Sequence, residues 1–397
     1  MFLNSSPNLK TQAHAVTMSF SVSNSILVLC TSETILVFDL SDHSLRTIIL
    51  PKLVIATEIK HHNNVEIDSF HGITSVSISN DGQYLSICTN RKQLCLYKTK
   101  DFSLVSNRTL VRAASRVRFT PGNDVIVADK SGDAYLFATR CPEQPGELIL
   151  GHLSMLLDIL VTDDGKFVVS ADRDEKIRVS RFPNGYNIES FCLGHTKFVS
   201  NISELPHDKR ILVSAGGDGQ LKFWNYIDGV EVKRVEFMGH IQENHVTRLN
   251  DSLKDLELQE PVRNLPMKRL ALEMINGKSI LICSFYGSGV VLVYDIDSDL
   301  EVEFLQMICE EEESLECVMS GGKLWILFDW GIKVYRFDGT FVVDSEMNGS
   351  LMELNDRWKE LRTKVSEQMF YPILYKRKFD NFQEYHDRKK SRMKLSN

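Results

Sequence analysis

The chain lacks the features that mark an enzyme, a membrane protein or a free-standing nucleic-acid binder. Cysteine is sparse, with eight in 397 residues. None forms a C-x-x-C pair, and most sit in apolar runs such as Leu27-Val28-Leu29-Cys30 and Ile280-Leu281-Ile282-Cys283. Cysteines spread so thinly read as small buried hydrophobes in a reducing compartment, not as a disulfide frame or a zinc site. Long apolar runs are missing too. The longest near the N-terminus, 25–38, is broken by Thr31, Ser32, Glu33 and Thr34, with no basic stretch ahead of it. Neither a membrane span nor a signal peptide is expected, and the chain reads as soluble and intracellular. Nor is there positive charge to spare: 46 Lys+Arg face 53 Asp+Glu, a net charge of −7. Binding phosphates unaided requires a Lys/Arg surplus, so any nucleic-acid role must come from a local patch or a partner. No G-x-x-x-x-G-K-S/T, G-x-S-x-G or H-E-x-x-H occurs, no G-x-G-x-x-G follows a strand, and no nucleophile stands beside a base. A catalytic, cofactor or metal site is therefore not expected.

What the chain does have is repetition. A short apolar strand ending in a hydrophobic-aromatic pair recurs at Val37-Phe38, Leu96-Tyr97, Leu136-Phe137, Phe223-Trp224, Val293-Tyr294 and Val334-Tyr335, with Val179-Ser180 as an aromatic-free seventh. Most intervals fall near the roughly 40–45 residues of a four-stranded propeller blade. Gly-His precedes two of these units, at Gly151-His152 and Gly194-His195. That is the grammar of WD repeats, and Gly194 to Asn225 carries nearly all of it. Seven strand endings predict an all-β fold: a seven-bladed WD-repeat β-propeller over residues 1–347, then a C-terminal helix and basic tail over 348–397.

Within such a blade, side chains tie the strands together. His195 before the first strand, Ser214 on the second, Asp218 in the next turn and Trp224 on the third are expected to form that chain, with the indole N–H as terminal donor. By alignment, His152, Ser170 and Asp174 do the same in the fourth blade, where Ser180 replaces the aromatic. These residues are assigned to scaffold, not to catalysis. Two long intervals hold excursions near 55–69 and 240–266, both read as polar loops. His61-His62 in the first is read as solvated loop and not as a metal site, because neighbouring side chains diverge on a strand. Gly287-Ser288-Gly289 is read as a strand-to-strand turn of the sixth blade.

Beyond the last blade, Leu351, Leu354, Trp358, Leu361 and Val365 fall at helical spacing and predict one apolar face. In the tail, Lys376, Arg377, Lys378, Arg388, Lys389 and Lys390 are interleaved with Phe379, Phe382 and Tyr385. A tail of this kind can be a targeting or solvated segment, a docking arm, or a contact to RNA phosphate.

The fourth blade departs most from a generic repeat. Its second turn reads Asp172-Arg173-Asp174-Glu175-Lys176 where the fifth blade has Gly-Gly-Asp-Gly. A tight turn needs glycine or aspartate, not Arg, Glu and Lys around them. Lys130 in the preceding blade and Lys197 after Gly194-His195 are expected to flank this turn, with Arg178 on the following strand. Scattered surface charge is the plain alternative.

The runs "GHLSMLLD", "ADRDEKIRVSR", "IESFCLGH" and "ADKSGD", with the tail "LYKRKFDNFQEY", closely resemble the WD-repeat, non-catalytic subunit of the eukaryotic tRNA (guanine-N7)-methyltransferase. The match is dense over about 128–225 and again over about 371–392; elsewhere only blade periodicity remains. The resemblance implies a protein without a catalytic site that binds and stabilises a separate methyltransferase subunit as a heterodimer. That partner would hold S-adenosylmethionine and modify a guanine in the tRNA variable loop. It further implies that Lys130, Arg173, Glu175, Lys176, Arg178 and Lys197 face the partner, and that the Lys/Arg tail reaches toward tRNA phosphate. With that tail, residence in the nucleus is expected, the cytoplasm staying open. The repeats alone also fit a WD scaffold in another assembly, such as a ubiquitin-ligase receptor or a chromatin adaptor.

Overall fold

A computed structural model describes residues 19–23, 25–31, 33–52, 72–256, 258–362 and 374–375. They form seven four-stranded antiparallel sheets, each from consecutive strands. Blade 1 spans residues 19–49, blade 2 73–109, blade 3 114–151, blade 4 156–192, blade 5 199–236, blade 6 267–309 and blade 7 316–343. The first strand of each blade touches the first strand of the next, so these strands line the central channel. The all-β propeller expected from the repeats is the observed fold.

Second and third strands are sandwiched between neighbouring blades. They therefore read as continuous apolar runs such as Ile26–Thr31 and Val290–Ile296, buried throughout. Outermost strands alternate instead, as in Val230–Glu236. The core is accordingly a set of clusters at the blade-to-blade seams. Six of the cysteines are buried in it or beside it, as expected, but Cys141 and Cys309 are exposed.

The ring closes without strand exchange among the described residues. The sequence left two candidates for closing the ring, residues 1–10 and the strand near Thr340–Asp344. Residues 1–10 lie outside the described residues, and Thr340–Val343 is the outer strand of blade 7, paired with Gly331–Asp338. At the seam, Leu27, Leu29, Leu36 and Phe38 of blade 1 pack on Trp325, Leu327, Ile332 and Val334 of blade 7. Two C-terminal helices cover that seam: α2 (Ser345–Ser350) and α3 (Met352–Arg362). Leu351, Leu354 and Trp358 are fully buried in it, as the helical spacing predicted, and Leu361 is partly buried; Val365 lies outside the described residues. Asn348 and Asn355 pair with the backbone of Val334 and Ile332, and Trp358 Nε1 donates to Phe328 O at 3.0 Å.

The second excursion is not the polar loop expected from its composition. It holds helix α1 (Glu243–Ser252), and Ile241, Leu249, Leu253, Val262 and Leu265 are buried against blades 5 and 6. Asn250 clamps the returning chain: Nδ2 donates to Val262 O at 2.8 Å, and Oδ1 accepts the Val262 N–H at 2.9 Å. Gly287 lets the helix approach. Its φ is +72°, and a Cβ there would lie 2.9 Å from Leu249 Cδ1. The spacing of Val246, Leu249 and Leu253 was the overlooked signal, diluted by surrounding charge. The first excursion, with His61-His62, lies outside the described residues. Among the described residues no helix is long and apolar enough to cross a membrane.

Strand order puts all blade-to-blade loops and all turns between second and third strands on one face, here the upper face. The Gly-His loops, the α1 excursion and the C-terminal helices stand there. On the lower face, Glu204 at the end of a channel strand is buried and accepts the Asp163 N–H at 2.9 Å. Burial, with Asp163 and Asp164 nearby, raises its pKa from 4.5 to about 7. A carboxyl whose folded pKa lies above its unfolded value stabilises at low pH, and that contribution is lost as pH rises through about 7. Glu204→Gln keeps an acceptor without the charge. Relative to the parent it should gain about 1–3 kcal/mol between pH 5 and pH 8, read from thermal melts across that range. A difference that stays flat with pH would show that the carboxylate is not held neutral.

Candidate protein-partner interface

In blade 5 the expected tie is complete. His195 Nδ1 donates to Asp218 Oδ2 at 2.8 Å, and Ser214 Oγ meets His195 Nε2 at 2.7 Å. Trp224 Nε1 then donates to Ser214 Oγ at 2.8 Å. All four side chains are buried or nearly so, which fits scaffold rather than chemistry. Burial opposes the charge on Asp218, but the His195 ring holds its carboxyl below the usual range.

Blade 4 repeats the tie with one correction. His152 Nε2 meets Ser170 Oγ at 2.8 Å, but Nδ1 pairs with Asp172 Oδ2 at 2.9 Å, not with Asp174. Asp172 closes the second strand, so its carboxylate reaches the histidine while its other oxygen accepts the N–H groups of Asp174 and Lys176. One aspartate both caps the turn and anchors the ring. Asp174 is thereby left half-exposed on the turn. Ser180, in the aromatic's place, is buried with no partner for its hydroxyl among the described residues.

The charged turn sits where equivalent positions can be compared. The residue after the turn aspartate, or its counterpart, donates its N–H to the preceding blade-to-blade loop in three successive blades. Lys130 reaches Ala113 O at 3.3 Å, Arg173 reaches Met155 O at 3.0 Å, and Gly217 reaches Phe198 O at 3.0 Å. Lys130 and Arg173 are therefore structural equivalents on adjacent blades. In blade 5 the place must be glycine, because a Cβ on Gly217 would lie 2.6 Å from the Phe198 ring. Smaller Ala113 and flexible Met155 leave the room that Lys130 and Arg173 use. Lys130 is half-buried, and burial pushes its pKa down. Glu175 takes a left-handed φ of +73°, which lets Lys176 emerge exposed.

Arg178 lies lower, on the third strand. Its Nη1 donates to Gly151 O at 3.0 Å, and burial lowers its pKa. The counterpart Lys222 of blade 5 pairs with Glu231 at 2.7 Å, whereas the matching position of blade 4 is Ile188, so Arg178 lacks that ion pair. Lys197 is exposed and only loosely near Glu260, at 3.5 Å.

Sequence reasoning missed an apolar element. Leu153 is fully exposed at the tip of the loop that joins blades 3 and 4. That loop is held between the two charged turns by His152 N–H to Gly132 O at 2.8 Å and by Arg173 N–H to Met155 O. Leu193, Phe191, Ile188 and Tyr186 continue the exposed apolar surface along the outer edge of blade 4. The signal was leucine at the loop position where blade 5 carries Thr196. The chain also returns to this face near its end: Leu374 is buried at the blade 5 seam, and Tyr375 packs edge-on against Phe198 with ring centroids 5.6 Å apart. Lys376, Arg377, Lys378, Arg388, Lys389 and Lys390 lie outside the described residues.

A family model described as the tRNA methyltransferase TRM82 WD40 domain matches residues 138–326, a span that includes the charged turn of blade 4 and Leu153 but not Lys130. A Mus musculus protein named tRNA (guanine-N(7)-)-methyltransferase non-catalytic subunit WDR4 is 34% identical over 323 residues, covering 79% of this chain and 75% of the relative. The chain belongs to this family of non-catalytic subunits. The Homo sapiens member is 32% identical, with 79% and 75% covered, and wuho of Culex quinquefasciatus is 30% identical, with 83% and 78% covered. The fold is also that of a chain in a crystal structure of the mitotic checkpoint complex, with a TM-score of 0.64 at 14% identity. That likeness covers 85% of this chain and 99% of the other, and concerns the fold alone. Family membership sets aside the ubiquitin-ligase and chromatin alternatives.

The histidine ties have a separable test. Trp224→Phe keeps an aromatic ring but removes the N–H, and should cost about 1 kcal/mol. Trp224→Ala empties a fully buried site and should cost about 3–5 kcal/mol with reduced soluble yield. Urea denaturation of both variants checks the order; equal costs would mean that the indole N–H, not ring volume, dominates.

Proposed function

We propose that the chain docks on a catalytic methyltransferase subunit through the upper face of blades 3 to 5, and that the heterodimer forms 7-methylguanine in the tRNA variable loop. As a member of its family the chain is a non-catalytic subunit of a tRNA (guanine-N(7)-)-methyltransferase. The partner supplies the S-adenosylmethionine site. One observation carries the choice of face: an exposed leucine, Leu153, between two turns that bear Lys130, Arg173 and Lys176. An apolar centre with a charged rim is the usual anatomy of a protein interface, and arginine is favoured there for its bidentate pairing with carboxylates. Glu175, Arg178 and Lys197 border the same face. The basic tail follows Tyr375 in the chain, and its Lys376–Lys378 and Arg388–Lys390 add tRNA phosphate contacts to a complex whose chemistry resides in the partner. The complex works in the nucleus, to which a Lys/Arg-rich segment suits import.

Reconstitution tests the reading directly. The catalytic subunit, tRNA and S-adenosylmethionine should give little 7-methylguanine until this chain is added. Charge reversal at Arg173→Glu with Lys176→Glu should weaken subunit association by about tenfold or more, since losing paired interfacial charge costs about 2–5 kcal/mol. The melting temperature should barely move, because Lys176 is exposed and Arg173 is half-buried on the turn, outside the hydrophobic clusters. Unchanged co-elution at low protein concentration would place the docking face elsewhere.

Removal of residues 376–397 probes the tail. tRNA affinity should fall, with the log–log salt slope reduced by about 0.7–0.9 per lost phosphate contact, while the subunits stay together. Should the subunits separate with tRNA affinity intact, the tail is a docking arm anchored by Phe379, Phe382 and Tyr385.

A further inference from the structure

The central channel carries a charge arrangement that the partner interface does not use. In blades 2 to 6 a β-bulge near the start of the channel strand re-aims the residue that follows it. Those residues are Ser75, Arg116, Asp158, Asn201 and Arg269. Three of them obey one rule: the side chain accepts an N–H from the channel strand of the next blade. Ser75 takes the Val117 N–H at 3.0 Å, Asp158 that of Ile202 at 3.0 Å and Asn201 that of Leu270 at 3.3 Å.

Arginine has no acceptor, so the rule breaks at Arg116 and Arg269. There the next blade supplies its own. Asp158 takes the Ile159 N–H at 2.9 Å, and Glu316 takes the Cys317 N–H at 3.1 Å. Each acid also meets the preceding blade's arginine through Nε, at 2.9 Å for Arg116–Asp158 and 3.3 Å for Arg269–Glu316. Arg118, two residues beyond Arg116, then adds Nε and Nη2 to Asp158 at 3.1 and 2.6 Å. Three guanidiniums thus share two carboxylates, and Asp158 has no lone pair left to offer.

The surplus faces the channel. Arg116 and Arg269 are held through Nε alone, and their Nη groups bond to nothing among the described residues; the same holds for Nη1 of Arg118. These side chains keep 20%, 31% and 23% of their surface open for Arg116, Arg118 and Arg269, enough for a small ligand to touch. Burial and the neighbouring Arg116 and Arg118 push the Arg269 pKa down, against the pull of Glu316. The cluster is short of one negative charge.

We propose that the central channel binds a phosphate-type oxyanion between Arg116, Arg118 and Arg269. Guanidinium forks match tetrahedral oxyanions bidentately, and one such anion accepts from several Nη groups at once. Bound there, it ties the channel strands of blades 3 and 6 across a ring in which no strand is exchanged among the described residues.

The test uses the full chain. Inorganic phosphate, titrated against sodium chloride of equal ionic strength, should raise the melting temperature saturably and broaden the phosphorus-31 resonance of the anion. Arg269→Gln and the charge-keeping Arg269→Lys should each raise the apparent Kd by about tenfold or more, as expected when charge-assisted hydrogen bonds are lost. A stronger response to tripolyphosphate than to orthophosphate identifies a polyphosphate source; an equal response identifies free phosphate. The proposal fails if phosphate acts no differently from chloride on the unaltered chain. It fails equally if the unaltered chain and both variants respond alike, because the anion then sits elsewhere, such as on the basic tail.

Discussion

Every blade of this protein buries both faces of its middle strands against its two neighbours, and that mutual burial holds the ring together. No described strand is shared between the first and last blades, and among the described residues side-chain packing joins blades 1 and 7. Leu351, Leu354 and Trp358 complete that packing from outside the propeller, and Asn348 and Asn355 satisfy backbone groups on the third strand of blade 7. The C-terminal helices are therefore part of the ring's closure, not an appendage to it. The same constraint explains why cysteine is tolerated so well here: within a seam, a thiol is a small apolar side chain, and burial pushes those of Cys30 and Cys283 far above the usual range.

Strand order then divides labour between the two faces. Loops between blades and turns between second and third strands emerge together on the upper face, so anything inserted there can be combined into one surface. Lys130, Arg173, Leu153 and the Leu374-Tyr375 docking point come from four separate stretches of chain yet gather around blades 3 to 5. Blade 5 shows the unelaborated form, with Gly217 under Phe198 and a full His-Ser-Asp-Trp tie. Blade 4 has given up the aromatic, carries arginine where glycine stood, and leaves Arg178 without the ion pair that Lys222 makes with Glu231 in blade 5. What a generic blade spends on internal ties, blade 4 presents outward.

Much of this was legible before any coordinates. Seven strand endings, six of them aromatic, set the blade count, and the helical spacing after residue 350 set the face of α3. The His195–Ser214–Asp218–Trp224 tie could be read because its members occupy invariant places in the repeat's own geometry. The reading failed where geometry had to be transferred from blade to blade. Aligning the fourth blade on the fifth put Asp174 in the histidine's reach, but Asp172 ends the strand and gets there first. The 240–266 excursion was called polar by composition, although three apolar residues at helical spacing suffice to seat a short helix when a seam lies beneath it.

The sequence by itself determined the fold class, the blade count and the family, because repeat periodicity and local motifs are properties of the chain in one dimension. Tertiary structure alone decided which charges face one another. Arg116, Asp158, Arg269 and Glu316 lie far apart in sequence and share no motif, and only ring closure, with bulges in the channel strands of blades 2 to 6, brings them to one level. Leu153 likewise reads as an ordinary loop leucine until the flanking turns fix it in the open. Charge and exposure depend on what stands across a gap, and that is a three-dimensional fact.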